Sequence, residues 1–275
     1  MKVKFYGTRG STPVSGEEYT RFGGSTTCLS VRLDDGMSVI FDAGTGIRRL
    51  GAELMKRPEG RPELIAIVLT HTHWDHIQGF PFFAPAYTPG TKIIIGICGK
   101  GLIPKGGLRS IFAAQMQEDY FPVPLEKMGA EFDFMQPDAS DYTGPLGDNW
   151  RLRKHNHPGG AYSYRFEADG KAFVFCTDIE HGERLDERIV ELAEGADILI
   201  HDGQYTPEEL EGKRGWGHSS WVQAVEVAER AGVKRLAVTH HDPDHDDEFL
   251  LEVEKECRER FPGAFLAREG LGIDL

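Results

Sequence analysis

The sequence predicts an α/β layered protein. Three observations carry that prediction: apolar or alternating runs of strand length, helical runs placed between them, and glycine- or aspartate-bearing turns at the junctions. In the first half, "VKFYGT" (3–8), "CLSVRL" (28–33) and "MSVIFDAG" (37–44) read as strands, and "IRRLGAELMKR" (47–57) as a helix with apolar residues at helical spacing. "LIAIVLT" (64–70) follows as a fully buried strand and "TKIIIGICG" (91–99) as another. The second half opens with the strand "WRLRKHNHP" (150–158). Next comes "AYSYRFEADGKAFVFCTD" (161–178), a hairpin because "ADGK" is a turn sequence between two strand-type runs. A helix at 185–194, the strand "ADILIHD" (196–202), a helix at 220–231 and the strand "RLAVTH" (235–240) complete the alternation. A last helix at 246–260 begins after "DPDHDD", whose acidic residues suit a helix amino terminus.

With 275 residues and 40% of them hydrophobic, the chain can build a sizeable core. A single domain over 1–275 is expected, with a lid-like irregular insertion around 100–128, where glycines and prolines surround one short helix. No apolar stretch approaches the roughly 20 residues that cross a bilayer, and "MKVKFYGTRG" lacks the basic-then-apolar pattern of a leader. These features predict a soluble, cytoplasmic protein with no membrane partner. The formal charge of −13 opposes loose binding to nucleic acid, which draws most of its affinity from Lys and Arg near phosphates. Nucleic acid is therefore not the expected partner, and a homodimer stays open. Cys28, Cys98, Cys176 and Cys257 are far apart with no CxxC pair, so neither a thiolate zinc knuckle nor a disulfide framework is expected. Glycine, at 33 residues, exceeds the average usage of roughly 7%, which fits tight loops around a site.

"HTHWDH" (71–76) directly follows the buried strand. Side chains alternate along an extended chain, so His71, His73 and Asp75 point the same way and His76 follows as the chain turns. Imidazole and carboxylate suit zinc, manganese or non-haem iron. Surface or loop histidines are the ordinary reading of a lone His, but three histidines and an aspartate in six positions favour a metal. More candidates stand at later strand ends: His155 and His157 in "HNHPGG", Asp178 after "VFCT", and His240, His241 and His245 in "AVTHHDPDH". In α/β sheets that edge is where ligands bind.

This series resembles the metallo-β-lactamase superfamily. Its HxHxDH motif matches His71, His73, Asp75 and His76, and its later His, Asp and His match His157, Asp178 and His240, over a similarity running from "FYGTRGS" and "FDAGTG" to "THHDP". The resemblance implies an αββα sandwich of two mixed sheets flanked by helices, and two divalent metal ions, zinc first with Mn2+ or Fe as alternatives. His71, His73 and His157 would hold one ion, Asp75, His76 and His240 the other, and Asp178 would bridge them. His155 competes with His157 and His241 with His240. His157 is preferred for its place before "PGGAYSYRFE", and His240 because it directly ends the apolar strand. Two cations roughly 3.5–4 Å apart can polarise a phosphoryl group and turn a bridging water into hydroxide, and Asp75 would help to orient it.

"GWGHSSW" (215–221) is similar to the GHS motif of the phosphodiesterase branch, which includes the tRNA 3′ endonucleases (RNase Z) and a cyclic phosphate phosphodiesterase of phosphonate breakdown. That similarity implies His218 as proton donor to the leaving group. A serine of the motif can at the same time cap the helix from 220. Bacterial tRNA endonucleases carry a long arm between the third histidine and the bridging aspartate. Here only "PGGAYSYRFEADGKAFVFCT" separates His157 from Asp178. The expected activity is hydrolysis of a small-molecule phosphodiester, a cyclic nucleotide included. A lactonase or thioesterase on the same metals, or a tRNA 3′ endonuclease, is the alternative. Asp42, His201 and Asp202 are expected to support the ligands or to form plain strand-end turns, and Glu180 and His181 to line the mouth. Phe80, Phe82, Phe83 and Tyr87 are read as core before a base-stacking platform.

Overall fold

The computed structural model describes residues 1–57, 60, 62–97, 106–137 and 149–275. Seven strands form one sheet: β1 (Lys2–Gly7), β2 (Cys28–Arg32), β3 (Ser38–Phe41), β4 (Leu64–Leu69), β5 (Lys92–Ile97), β6 (Glu131–Met135) and β13 (Gly272–Asp274), in the order β13-β1-β2-β3-β4-β5-β6. Six form the other: β7 (Trp150–His155), β8 (Ala161–Ala168), β9 (Lys171–Cys176), β10 (Ile198–Asp202), β11 (Leu236–Thr239) and β12 (Ala264–Leu266), in the order β12-β11-β10-β9-β8-β7. Both sheets are mixed. In the first, β3, β4, β5 and β6 run parallel while β1 pairs antiparallel with β2 and β13. In the second, β9, β10, β11 and β12 run parallel beside the antiparallel β7–β8–β9 meander.

Side-chain alternation builds the layers. One face of each sheet meets the other sheet, through Val3, Phe5 and Phe41 from the first and Tyr164, Phe173, Phe175, Ile198 and Ile200 from the second. Phe41 lies at the centre, its ring 5.0 Å from that of Phe173 and 5.6 Å from that of Phe175. The opposite face of the first sheet, Ile65, Ile67 and Leu69 among others, packs on α1 (Ile47–Leu54) and α2 (Gly107–Gln115). The opposite face of the second, including Val174, Leu199 and Val238, packs on α3 (Glu187–Ala193), α5 (Trp221–Ala231) and α6 (Asp247–Arg260). Helices, two sheets and helices stack in that order, which is the αββα sandwich expected above.

Local chemistry sets the element ends. Asp169 and Gly170, with φ of 54° and 67°, make the left-handed turn of the β8–β9 hairpin. Ser220 accepts from the Gln223 amide and Gln223 reaches back, a capping box that starts α5. Asp246 accepts from the Phe249 amide at the start of α6. The sequence reading passes over α4 (Pro207–Gly212), although Thr206, Pro207 and Glu209 spell its capping box and its proline at the first position. It also passes over β6, β12 and β13, which are short edge strands. Of the irregular segment 100–128, residues 100–105 lie outside the described residues, as does Cys98; the rest holds α2. Cys28, Cys176 and Cys257 are free and buried. Among the described residues no helix is long and apolar enough to cross a membrane.

Candidate metal centre

The parallel strands deliver their carboxyl ends to one edge of the sandwich. Asp42 follows β3, His71 follows β4, Asp178 follows β9, Asp202 ends β10 and His240 follows β11. Asp42, Asp178 and His240 all have left-handed backbones, with φ of 58°, 58° and 64°. A non-glycine residue in that conformation costs of order 1–3 kcal/mol and persists where its surroundings fix it. Here it turns each side chain across the strand end.

Among the described residues ligand-type atoms gather into four sets, each lying within 4.8 Å of one another; two of them include His218, and the other two make up the cluster proper. One is His71, His73 and His157; the other is Asp75, His76, Asp178 and His240. Asp178 lies between them. Its Oδ2 is 3.2 Å from His76 Nε2 and 3.3 Å from His240 Nε2, and its Oδ1 is 3.7 Å from His71 Nε2 and 3.8 Å from His157 Nε2.

Outer partners fix which nitrogen of each ring faces inward. Asp42 Oδ2 accepts from His76 Nδ1 at 2.9 Å, Gln204 Oε1 accepts from His240 Nδ1 at 3.0 Å, and the Gly217 carbonyl accepts from His157 Nδ1 at 2.9 Å. Thr70 donates its hydroxyl to Asp42 and accepts from His71 Nδ1 at 3.1 Å. In the neutral rings the inward nitrogens therefore carry lone pairs. His71 Nε2 is buried with no hydrogen-bond partner, and His73 Nδ1 stands 2.9 Å from His157 Nε2. An orphaned buried nitrogen beside two ring nitrogens only 2.9 Å apart is an arrangement that a cation at this point would satisfy.

Electrostatics agree. Burial alone would raise the Asp178 carboxyl, yet His240, His76 and His71 hold it well below the usual carboxylate range. Burial, followed by repulsion from His76, lowers His71 far below an ordinary histidine, so it stays neutral and able to ligate. Burial lowers His240 too, but the carboxylates of Asp178 and Asp75 raise it to about 9. These buried carboxylates demand positive charge, which a proton or a metal ion can supply. The donor set of imidazoles and carboxylates fits a divalent ion of the zinc, manganese or iron type.

Of the competing histidines, His155 gives Nε2 to the Asp178 carbonyl at 3.0 Å and takes Ser163 on Nδ1. His241 gives Nε2 to the Ala267 carbonyl at 2.9 Å, and burial followed by the nearby Arg9 charge lowers it to about 3. His245 pairs with Glu209. His155, His241 and His245 thus face away from both groups.

His218 sits at the rim. Asp202 Oδ2 accepts from its Nδ1 at 2.9 Å and also from the Asp178 amide, while Oδ1 of Asp202 accepts from the amides of Ser219 and Gln204. The His218 ring lies 4.9 Å from that of His240, inclined by 22°. Asp42 and Asp202 are therefore clamps rather than plain turn residues, and Ser220 caps α5 while His218 faces the site. His181 does not line the mouth: it is buried, with Nε2 against His201 Nε2 at 3.2 Å. Sequence reasoning missed three supports. The Ser11 amide donates to Asp75 Oδ2, Gln204 holds His240, and Glu180 accepts from the amides of Gly215 and Gly217 at 2.8–2.9 Å. Glu180 thereby fixes the loop that orients both His157 and His218.

Residues 38–241 match the family model described as "Beta-lactamase superfamily domain". The chain belongs to that superfamily. A relative named Ribonuclease Z, from Lacticaseibacillus casei, is 25% identical, with 98% of this chain and 93% of the relative covered. The metallo-β-lactamase fold protein YhfI from Bacillus subtilis superposes with a TM-score of 0.70 at 20% identity, covering 99% of this chain and 98% of that one. A diphosphatase of the PhnP family superposes with a TM-score of 0.66 at 20% identity, over 100% and 97%. This chain is a metal-dependent hydrolase. The name of the Ribonuclease Z relative counts against excluding nucleic acid on charge alone.

Proposed function

We propose that this chain is a phosphodiesterase that works with two divalent ions, zinc first among them, on a small phosphodiester or cyclic nucleotide. His71, His73 and His157 would hold one ion, Asp75, His76 and His240 the other, with Asp178 shared. When bound, such ions supply Lewis acidity toward a phosphoryl group and lower the pKa of water.

The observation that carries the phosphodiesterase reading is His218, held at the rim by Asp202 and stacked on His240. A departing alkoxide needs a proton, and a positioned acid of this kind contributes roughly 10²–10⁴-fold. Asp202 accepts the Nδ1 proton, which leaves Nε2 to deliver a proton to the leaving oxygen and keeps the imidazolium paired. Asp75, tied to the Ser11 amide and flanked by His76 and His240, would help to orient the attacking water. A small substrate is favoured because β8 and β9 join through a tight hairpin between His157 and Asp178, with no arm. The net charge of −13 points the same way.

Ribonuclease Z as a relative over nearly the whole chain favours a second reading, cleavage of a tRNA precursor. Zinc- and manganese-loaded protein assayed on bis(p-nitrophenyl) phosphate, a precursor tRNA and p-nitrophenyl acyl esters separates these readings. Turnover of the small diester above the other two is expected. Faster acyl ester hydrolysis, faster cleavage of the precursor tRNA, or a fully metal-loaded protein inert toward all phosphodiesters, overturns it.

A further inference from the structure

Beside the metal cluster lies a groove of about 860 Å³, inside the usual range of small-ligand sites. Thr72 and Trp74 line it, and they alternate along the chain with His71, His73 and Asp75. The groove thus runs along the segment that carries the cluster, where Trp74 opens a 3-10 turn (Trp74–His76). Its walls are aromatic and largely uncovered: Trp74 is 59% exposed, Phe82 58% and Tyr120 75%. Phe121 completes the wall, set edge-on to Phe82 at 5.5 Å. Large aromatics held open to solvent side by side mark a binding surface rather than a core defect. Of the aromatics read as core, Phe80 and Phe83 are fully buried, while Phe82 opens onto this groove.

Gln115 lies in the floor at the end of α2, whose Leu108 and Phe112 anchor in the core. It is only 7% exposed, and among the described residues neither Nε2 nor Oε1 of its amide has a hydrogen-bond partner. A buried amide left unpaired is costly, and its donor and acceptor stand side by side. Both atoms are closed to solvent as the side chain stands, and a turn about its own bonds toward the groove would present them to one kind of ligand edge: a donor next to an acceptor on a flat ring, the way Gln and Asn pair with a base. An acyl chain would fill the apolar walls yet leave this amide unpaired.

We propose that the groove is the base subsite of the phosphodiesterase, in which a nucleobase stacks on the open aromatics and Gln115 reads its edge. This rests on the phosphodiesterase reading above and adds that the substrate is a nucleotide ester. The test compares two substrates with one leaving group, thymidine 5′-(p-nitrophenyl phosphate) and methyl p-nitrophenyl phosphate, in wild type and Gln115→Leu. Wild type favours the nucleotide ester in kcat/KM, and Gln115→Leu lowers that preference on the order of tenfold. Trp74→Ala lowers it by a similar factor through lost stacking. Equal turnover of the two substrates by wild type, or an equal effect of Gln115→Leu on both, overturns the proposal. A p-nitrophenyl acyl ester preferred over both, with turnover rising in Gln115→Leu, assigns the groove to an acyl chain and also overturns it.

A binding measurement separates failure of the subsite from failure of the hydrolase reading. Adenosine should quench tryptophan fluorescence saturably in wild type, and less in Trp74→Phe and Gln115→Leu. Saturable quenching without phosphodiester turnover keeps the base site and rejects the activity, whereas no quenching rejects the base site.

Discussion

In the metal cluster His71, His76, His157 and His240 each have the outer nitrogen tied to a fixed partner, whereas in the groove beside it Trp74, Phe82 and Tyr120 stand open and the Gln115 amide is unpaired. The two draw on alternate residues of one segment, 71–75, yet one is pinned and the other is waiting. The pinned part can run one chemistry repeatedly because nothing need reorganise. The open part carries recognition, and its side chains can change without disturbing the strand ends.

The contrast breaks most completely at Asp178, the carboxylate that lies between the two groups. Asp178→Ala should leave less than one ion per chain by elemental analysis, and turnover should fall beyond the roughly 10²–10⁴-fold that one acid–base residue contributes. His218→Ala is expected to keep full metal content. It should lose about 10²–10⁴-fold in kcat on diesters with alkoxide leaving groups and much less on p-nitrophenyl esters, whose leaving group needs no proton. Asp202→Asn should follow the same leaving-group pattern, with a loss of roughly 10–100-fold. Glu180→Ala frees the amides of Gly215 and Gly217 and should cost about tenfold in kcat with weaker metal retention during chelator challenge. On the groove side, Gln115→Leu removes two unpaired polar atoms worth about 1–3 kcal/mol. Its Tm by calorimetry should rise by a few degrees, on the order of 2–4 °C per kcal/mol for a chain of this size. A fall in Tm would mean that the amide is satisfied and the contrast false.

Much of the fold and most of the clustered residues were legible because most candidates closely follow a buried strand. "LIAIVLT" into "HTHWDH", "VFCT" into Asp178 and "AVT" into His240 put strand-ending apolar runs beside ligand types. Alternation could not separate His155 from His157, since both share one parity. The turn after β7 does so, by leaving His155 under the Asp178 carbonyl. Between His240 and His241 the left-handed φ of His240 decides which ring swings into the cluster. Glu180 and Gln204 were illegible as supports because their partners lie 35 and 36 residues away in sequence. Gln115 gave no signal either, since it closes a short helix in the least regular stretch and matters through a contact it lacks. Helix α4 was legible and passed over: "TPEE" is a capping box on a helix only six residues long.

The central claim is that the strand-end cluster is a two-ion hydrolytic site, and stepwise zinc titration of chelator-stripped protein tests it most directly, with turnover of bis(p-nitrophenyl) phosphate followed at each addition. Turnover that climbs through the first equivalent and reaches its plateau at two bound ions per chain is the predicted result. Full turnover at a single equivalent, or none at two, would contradict it.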